Sequence, residues 1–217
     1  MPLVLVFDVE TTGLLPKDPK DYKPCDLPHI IQLSYALYDT DTQTMKETYN
    51  AYIRVPSDII IKPLITDLTG ITREKLDAEG IDIIEAIEAF NRAYEVADII
   101  VGHNLQFDMT MVLIDGCPKF PHMHGMFDND VLNKAEKQVF CTMQSGIDIC
   151  KLQRFNSRGP YYKQPKLSEL YAHLFGKEPE NLHNSIVDVA ACLRCFLKMK
   201  YRFDTSEDAF AKWCLLA

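Results

Sequence analysis

The chain has 217 residues, enough for a sizeable hydrophobic core, so a single domain spanning residues 1–217 is expected. Hydrophobic residues make up 47% and charged residues 25%, which excludes a disordered or fibrous chain. Lys plus Arg number 23 against 31 Asp plus Glu, a formal net charge of −8, and on its own that balance argues against a polyanionic partner such as nucleic acid.

The apolar run at the N-terminus has no basic flank and is broken by Asp8, so it reads as neither a signal peptide nor an anchor. No stretch approaches the roughly 18 apolar residues of a membrane span, and no membrane partner is expected. The seven cysteines are odd in number and lie in apolar contexts, as expected of reduced, buried thiols in an intracellular protein.

In chain order, Leu3 to Val9 is a continuous apolar run stopped by Thr11-Thr12-Gly13, which predicts a buried central strand. Pro16, Pro19, Pro24 and Pro28 then demand a loop. Two strands are expected over 29–38 and 45–55 around a turn at 39–42, followed by a turn or short helix at Thr69-Gly70. Apolar residues at Ile83, Ile84, Ile87, Phe90, Tyr94 and Ala97 have the spacing of an amphipathic helix. A buried strand over 98–102 leads to a helix that Asn104 can cap, running to about Leu113, and then a loop from 115 to about 130. A fifth strand is expected at 140–143, with helices over 144–152, 167–175 and 185–201. This order describes an α/β sandwich built on a mixed sheet.

Three short motifs carry chemistry. In Asp8-Val9-Glu10-Thr11-Thr12-Gly13-Leu14, residues two apart on a strand face one side, so Asp8 and Glu10 present two carboxylates together at the end of a buried strand. Such a pair repels itself unless a cation lies between, and a hard divalent ion with oxygen ligands fits. The bland alternative is a strand-end turn with solvated acids. In Gly102-His103-Asn104-Leu105-Gln106-Phe107-Asp108, Asp108 stands in a first helical turn, where the helix dipole alone would favour an acid. In His183-Asn184-Ser185-Ile186-Val187-Asp188, Ser185 and Asp188 have the look of a capping box, while His183 stands beside them, and an unperturbed histidine, with a pKa of about 6.5, can accept a proton from water at neutral pH.

Taken together and in this order, Asp8-x-Glu10, Asp108 and His183-x4-Asp188 resemble the three motifs of the DEDDh branch of the DnaQ-like 3′–5′ exonucleases. The likeness runs from Val4 to about Leu197, and FDVETTGL is most similar to proofreading subunits and three-prime repair exonucleases. The segment KLSELY at 166–171 with Leu174-Phe175-Gly176 is similar to the helix before the third motif in those families. The resemblance implies an RNase H-like exonuclease fold with a mixed five-stranded sheet flanked by helices. It implies that Asp8, Glu10, Asp108 and Asp188 bind two Mg²⁺ or Mn²⁺ ions, Asp8 bridging and Asp108 acting through water. His183 would be the general base in the release of nucleoside 5′-monophosphates from 3′ ends of DNA. It also places Thr11, Thr12, Leu14, Asn104 and Phe107 around the terminal nucleotide. Thr69-Gly70-Ile71 stands where proofreading subunits often carry His-Gly-Ile.

From Lys151 to Ser168 five basic residues and no acid are interleaved with Phe155, Tyr161 and Tyr162, a mixture suited to a single strand or simply to a solvated loop. Cys192-x-x-Cys195 falls inside the last expected long helix without a partner pair, which disfavours zinc. Cys117, His122 and His124 read as chance neighbours in a loop, and Trp213 and Leu215-Leu216 as residues packing back on the domain. The alternatives to a DNA exonuclease are a 3′–5′ exoribonuclease of the same fold and a non-catalytic, polymerase-associated nucleic-acid-binding module. A homodimer through an edge strand at 45–55 or a polymerase partner is compatible with the pattern. Four of the negative charges belong to the motif carboxylates, and two divalent ions would add +4, so the acidic balance no longer excludes nucleic acid.

Overall fold

The structure is a computed structural model that describes residues 2–17, 27–116, 118, 120, 123, 125–179 and 184–215. The central strand β1, Leu3–Thr11, lies in a five-stranded sheet of order β3-β2-β1-β4-β5. It pairs antiparallel with β2, Ile30–Asp39, which pairs antiparallel with the edge strand β3, Thr44–Tyr52. On its other side β1 runs parallel to β4, Ile99–Gly102, and β4 parallel to β5, Gln138–Cys141. The sheet is mixed and α/β, as the sequence pattern predicts.

Both faces of β1 are covered, which is why its sequence is continuously apolar rather than alternating. Leu5, Phe7 and Val9 enter one core with Ala86, Ile87 and Phe90 of α3, Ile83–Val96. Val4 and Val6 enter the other with Ile186, Val189, Leu193 and Phe196 of a 17-residue helix, Ser185–Tyr201. The helix α3 starts where Asp82 Oδ1 accepts the Ile84 N–H at 2.8 Å and ends where Lys137 Nζ meets the carbonyls of Tyr94 and Ala97.

Between β3 and α3 lie two short helices, α1 Pro63–Thr69 and α2 Arg73–Glu79, separated by Gly70 in the left-handed region. After β4 come α4, Leu105–Met111, continued as a π-turn over Val112–Gly116, and α5, Asn129–Lys134. The helix α6, Thr142–Cys150, leads to a separate hairpin of β6, Gln153–Asn156, and β7, Gly159–Tyr162. Then follow α7, Leu167–Phe175, the long helix Ser185–Tyr201 as α8, and α9, Glu207–Cys214.

The expected helices over 167–175 and 185–201 match the observed bounds. The expected 144–152 helix starts and ends two residues earlier, and the expected strand at 140–143 is β5 at 138–141. Other elements depart from expectation: the turn or short helix expected at Thr69-Gly70 is a pair of helices, α1 and α2, flanking Gly70, α5 lies at the end of an expected loop, the 151–168 loop contains the hairpin, and α9 follows the last expected helix. Trp213 of α9 packs edge-on against Tyr38 at 5.6 Å, as expected of a residue folding back, whereas Leu215, expected to pack with it, is 81% exposed just past the end of α9, and Leu216 lies outside the described residues. Cys192 and Cys195 are buried free thiols within α8, and the described cysteines 141, 150 and 214 are also free. Cys117, His122, His124 and Pro19 and Pro24 of the proline-rich loop lie outside the described residues. Among the described residues no helix is long and apolar enough to cross a membrane.

Candidate active site

The alternation of β1 decides where its acids go. Even-numbered residues face α8, so the face that buries Val4 and Val6 carries Asp8 and Glu10 to the start of that helix, where Asp188 stands in the first turn. One ligand oxygen from each of Asp8, Glu10 and Asp188 lies within 4.8 Å of the others. Ser185 Oγ, fully buried, donates to the Asp8 backbone carbonyl at 3.1 Å and fastens the two elements together. It is therefore a strut rather than the capping residue the sequence suggested: the N-cap is Asn184, whose side chain makes no cap hydrogen bond.

Asp108 reaches the same place from the other side. The parallel ladder with β4 ends at Val6–Val101, so the Val9 N–H has no β4 partner, and Asp108 Oδ1 accepts it at 3.4 Å. The chain turns from β4 into α4 through Gly102, where a Cβ would sit 2.8 Å from Leu105 Cδ1, and Asn104 in the left-handed region. That conformation corrects the expectation that Asn104 caps α4, since its side chain makes no cap hydrogen bond. Asp108 is only 3% exposed, and its Oδ2 is buried without a hydrogen-bond partner among the described residues.

Burying like charges together shifts their protonation. Burial raises the Asp8 carboxyl from 3.8 to about 6. Burial, followed by the charges of Asp8 and Asp188, raises Glu10 from 4.5 to about 9. Asp108 is raised well above the carboxylate range by burial and then by Asp8. An orphaned carboxylate oxygen on Asp108, together with three converging oxygen donors of which Asp8 and Glu10 resist ionisation, is what a hard divalent ion would relieve. The donor set fits such an ion.

The cluster opens to a cavity of about 620 Å³ lined by Asp8, Asp188, His103, Met143 and the segment Gln164–Ser168. Parallel strands β1 and β4 both point their carboxyl ends here, the usual position for a ligand site on an open α/β sheet. His103, quoted in the second motif without a role, braces the cavity wall. Its Nε2 lies 3.1 Å from the Pro165 carbonyl and its Nδ1 3.0 Å from Thr142 Oγ1. A carbonyl only accepts, so Nε2 carries the proton, and Nδ1 shares the single Thr142 hydroxyl hydrogen with the Gly102 carbonyl, 3.2 Å from the same Oγ1. Burial lowers its pKa to about 4, and the ring is neutral at physiological pH. Its partners are 39 and 62 residues away in sequence, which is why no local pattern marks it.

The remaining sequence-derived residues are spread around this centre. Thr11 and Thr12 are buried at the end of β1, with their hydroxyls engaged locally: Thr11 Oγ1 donates to the Gly13 carbonyl at 2.6 Å, and Thr12 Oγ1 accepts from the His29 N–H at 2.9 Å. His29 is in turn held by Asp115 of the π-turn, 2.9 Å from its Nδ1, and this hydrogen bond raises its pKa. Phe107 packs against the core under α4, Asn104 is exposed, and Leu14 is 86% exposed. His183 lies outside the described residues, immediately before Asn184.

The RNase T-type family model, described as exonuclease, matches residues 5–196. No curated protein matches the chain in sequence. Among solved structures, Escherichia coli exonuclease I in complex with a dT13 oligonucleotide superposes with a TM-score of 0.65 at 18% identity, over 93% of this chain and 42% of that one. Its complex with a dA16 oligonucleotide gives 0.64 at 17% identity, over 99% and 43%. The zinc-bound form of the E. coli enzyme with single-stranded DNA gives 0.64 at 16% identity, over 100% and 43%. The chain thus spans less than half the length of these neighbours and shares their fold. With 192 consecutive residues matched and an RNase H-like sheet beneath them, the chain belongs to the RNase T-type exonuclease family of the DnaQ-like superfamily.

Proposed function

We propose that the protein is a DEDDh-type, divalent-metal-dependent 3′–5′ exonuclease that releases nucleoside 5′-monophosphates from 3′ ends of DNA. The observation that carries this reading is the convergence of Asp8, Glu10 and Asp188 within 4.8 Å at the mouth of a cavity. Asp8, Glu10 and Asp188 would hold a Mg²⁺ or Mn²⁺ ion directly, with Asp8 and Asp108 serving a second one. Bound there, the two ions supply positive charge that favours ionisation of a water and stabilises the leaving oxygen of an in-line displacement. His183 accepts the proton of the attacking water. The new bond joins the water oxygen to phosphorus, the bond from phosphorus to the neighbouring 3′-oxygen breaks, and that oxygen becomes the new 3′-hydroxyl.

The other residues orient the substrate. Thr11 and Thr12 present backbone and methyl groups to the terminal sugar from a strand end whose hydroxyls are already fixed by Gly13 and His29. Leu14, with its side chain open to solvent, is placed to wedge beneath the terminal base, and Asn104 and Phe107 complete the pocket. Neutral His103 keeps the 164–168 segment against the cleft.

The test uses end-labelled single-stranded DNA, duplex DNA and RNA, each with Mg²⁺, Mn²⁺ or chelator, alongside Asp8→Ala and His183→Ala. Stepwise 3′ shortening of DNA that requires metal and Asp8 is expected. Intact 3′ ends in every metal sink the enzymatic reading, and faster trimming of RNA than DNA shifts the substrate.

A further inference from the structure

The sequence singled out a basic, aromatic stretch that the catalytic cluster does not use, and the structure folds it as the β6–β7 hairpin. The hairpin is closed at its base by the Lys163 N–H donating to the Leu152 carbonyl at 2.9 Å, and the next residue, Gln164, already lines the cavity with Asp8 and Asp188. Its root is therefore in the wall of the cleft.

All four residues of β6 are exposed, and Phe155 is 75% exposed, Tyr161 45% and Tyr162 49%. A two-stranded ribbon is marginal on its own, and these rings leave much of their apolar surface in water. The pairing register puts Tyr162 opposite Gln153 and Phe155 opposite Pro160 on one face, and Arg154 opposite Tyr161 on the other. No acidic residue occurs from Lys151 to Ser168. Lys163 is taken by Glu169 at 2.6 Å, but among the described residues neither Arg154 nor Arg158 has an ion-pair partner. Rings offering open faces beside unneutralised guanidinium groups complement unpaired bases on a phosphate backbone.

We infer that the β6–β7 hairpin binds single-stranded nucleic acid, guiding the strand whose 3′ end enters the cleft. The inference rests on the exonuclease reading for its substrate. Arg154 and Arg158 contact phosphates, while Phe155, Tyr161 and Tyr162 stack on bases outside the catalytic pocket.

The experiment is fluorescence anisotropy of labelled dT20 across a salt series, on the Asp188→Asn background so that the oligonucleotide survives. Arg154→Ala with Arg158→Ala should reduce the slope of log affinity against log salt by about 1.4, two phosphates at ~0.7 each, and Arg154→Lys with Arg158→Lys should keep it. Phe155→Ala with Tyr161→Ala should weaken binding roughly tenfold or more at an unchanged slope. Both substituted sets lie on exposed positions, and a melting curve superimposable on the parent's verifies the fold. Unchanged affinity and slope in both sets overturn the hairpin's role while leaving the end-labelled cleavage result standing. Hairpin-dependent binding by a wild type that cleaves nothing overturns the exonuclease reading instead and upholds the hairpin as a nucleic-acid site.

Discussion

Glu10→Gln should stabilise the metal-free protein at pH 7.5 although it removes a residue of the proposed metal site. The Glu10 carboxyl moves from 4.5 to about 9 because burial and the neighbouring charges of Asp8 and Asp188 oppose its ionisation. Between those values the folded chain holds a proton that the unfolded chain has lost, so stability falls as pH rises through this window. At 1.36 kcal/mol per pH unit, the three units from 4.5 to 7.5 set an upper limit of about 4 kcal/mol. Glu10 keeps some solvent exposure and its neighbours can relax, which reduces the expected effect to about 1–2 kcal/mol. Urea unfolding in chelator at pH 4, 6 and 7.5 measures it. The glutamine variant should gain on the wild type as pH rises and match it near pH 4. Adding Mg²⁺ at pH 7.5 should reverse the order, since an ion present at 100 times its dissociation constant contributes about 2.7 kcal/mol to the protein that binds it. A variant no more stable than wild type in chelator at pH 7.5 refutes the repulsion argument.

Other consequences can be checked alongside. His103→Gln should flatten the acid limb of the stability curve. The folded ring stays neutral down to about pH 4 while the unfolded one protonates near 6.5, so this group costs stability as pH falls between them, and the wild-type-minus-variant difference across that range reads it. At pH 7.5 the same variant should be less stable by about 1–3 kcal/mol for the buried hydrogen bonds to Thr142 and Pro165. Arg194→Ala should cost about 1–3 kcal/mol in urea unfolding, since the acids it meets are half exposed and what is lost is a buried hydrogen bond and ring contacts. The residue is 3% exposed, donates to Tyr171 Oη and to Glu207, and lies 4.2 Å over the Phe175 ring, so its loss loosens α9 on α7 and α8. Protease cleavage near 203–206 should accelerate with it, and an unchanged cleavage rate would count against that clamp.

What the sequence made legible follows what each element buries. The run from Leu3 to Val9 announces a strand covered on both faces, and the same parity that buries Val4 and Val6 places Asp8 and Glu10 side by side. The helix over 167–175 lies between Pro165 and Gly176, and the one over 185–201 shows in its apolar content and its basic last turn of Lys198 and Lys200. In contrast α5 buries only Leu132 and α9 buries no residue fully, so neither writes an apolar period into the chain. The hairpin hid for the same reason, its four-residue strands being exposed and its second one carrying Pro160. His103 was quoted within a motif yet silent in role, because its two partners arrive from α6 and from the approach to α7. The net charge of −8 says little about partners because charge matters by location: Asp8, Glu10 and Asp188 converge in one acidic cluster beside Asp108, while the 151–168 segment is basic.

The most direct test of the central claim is mass spectrometry of the products formed from a 5′-labelled DNA oligonucleotide in Mg²⁺. A ladder shortened one nucleotide at a time from the 3′ end, accompanied by nucleoside 5′-monophosphates and abolished in Asp8→Ala, is the predicted result. Nucleoside 3′-monophosphates, internal fragments, or the same ladder from Asp8→Ala would contradict it.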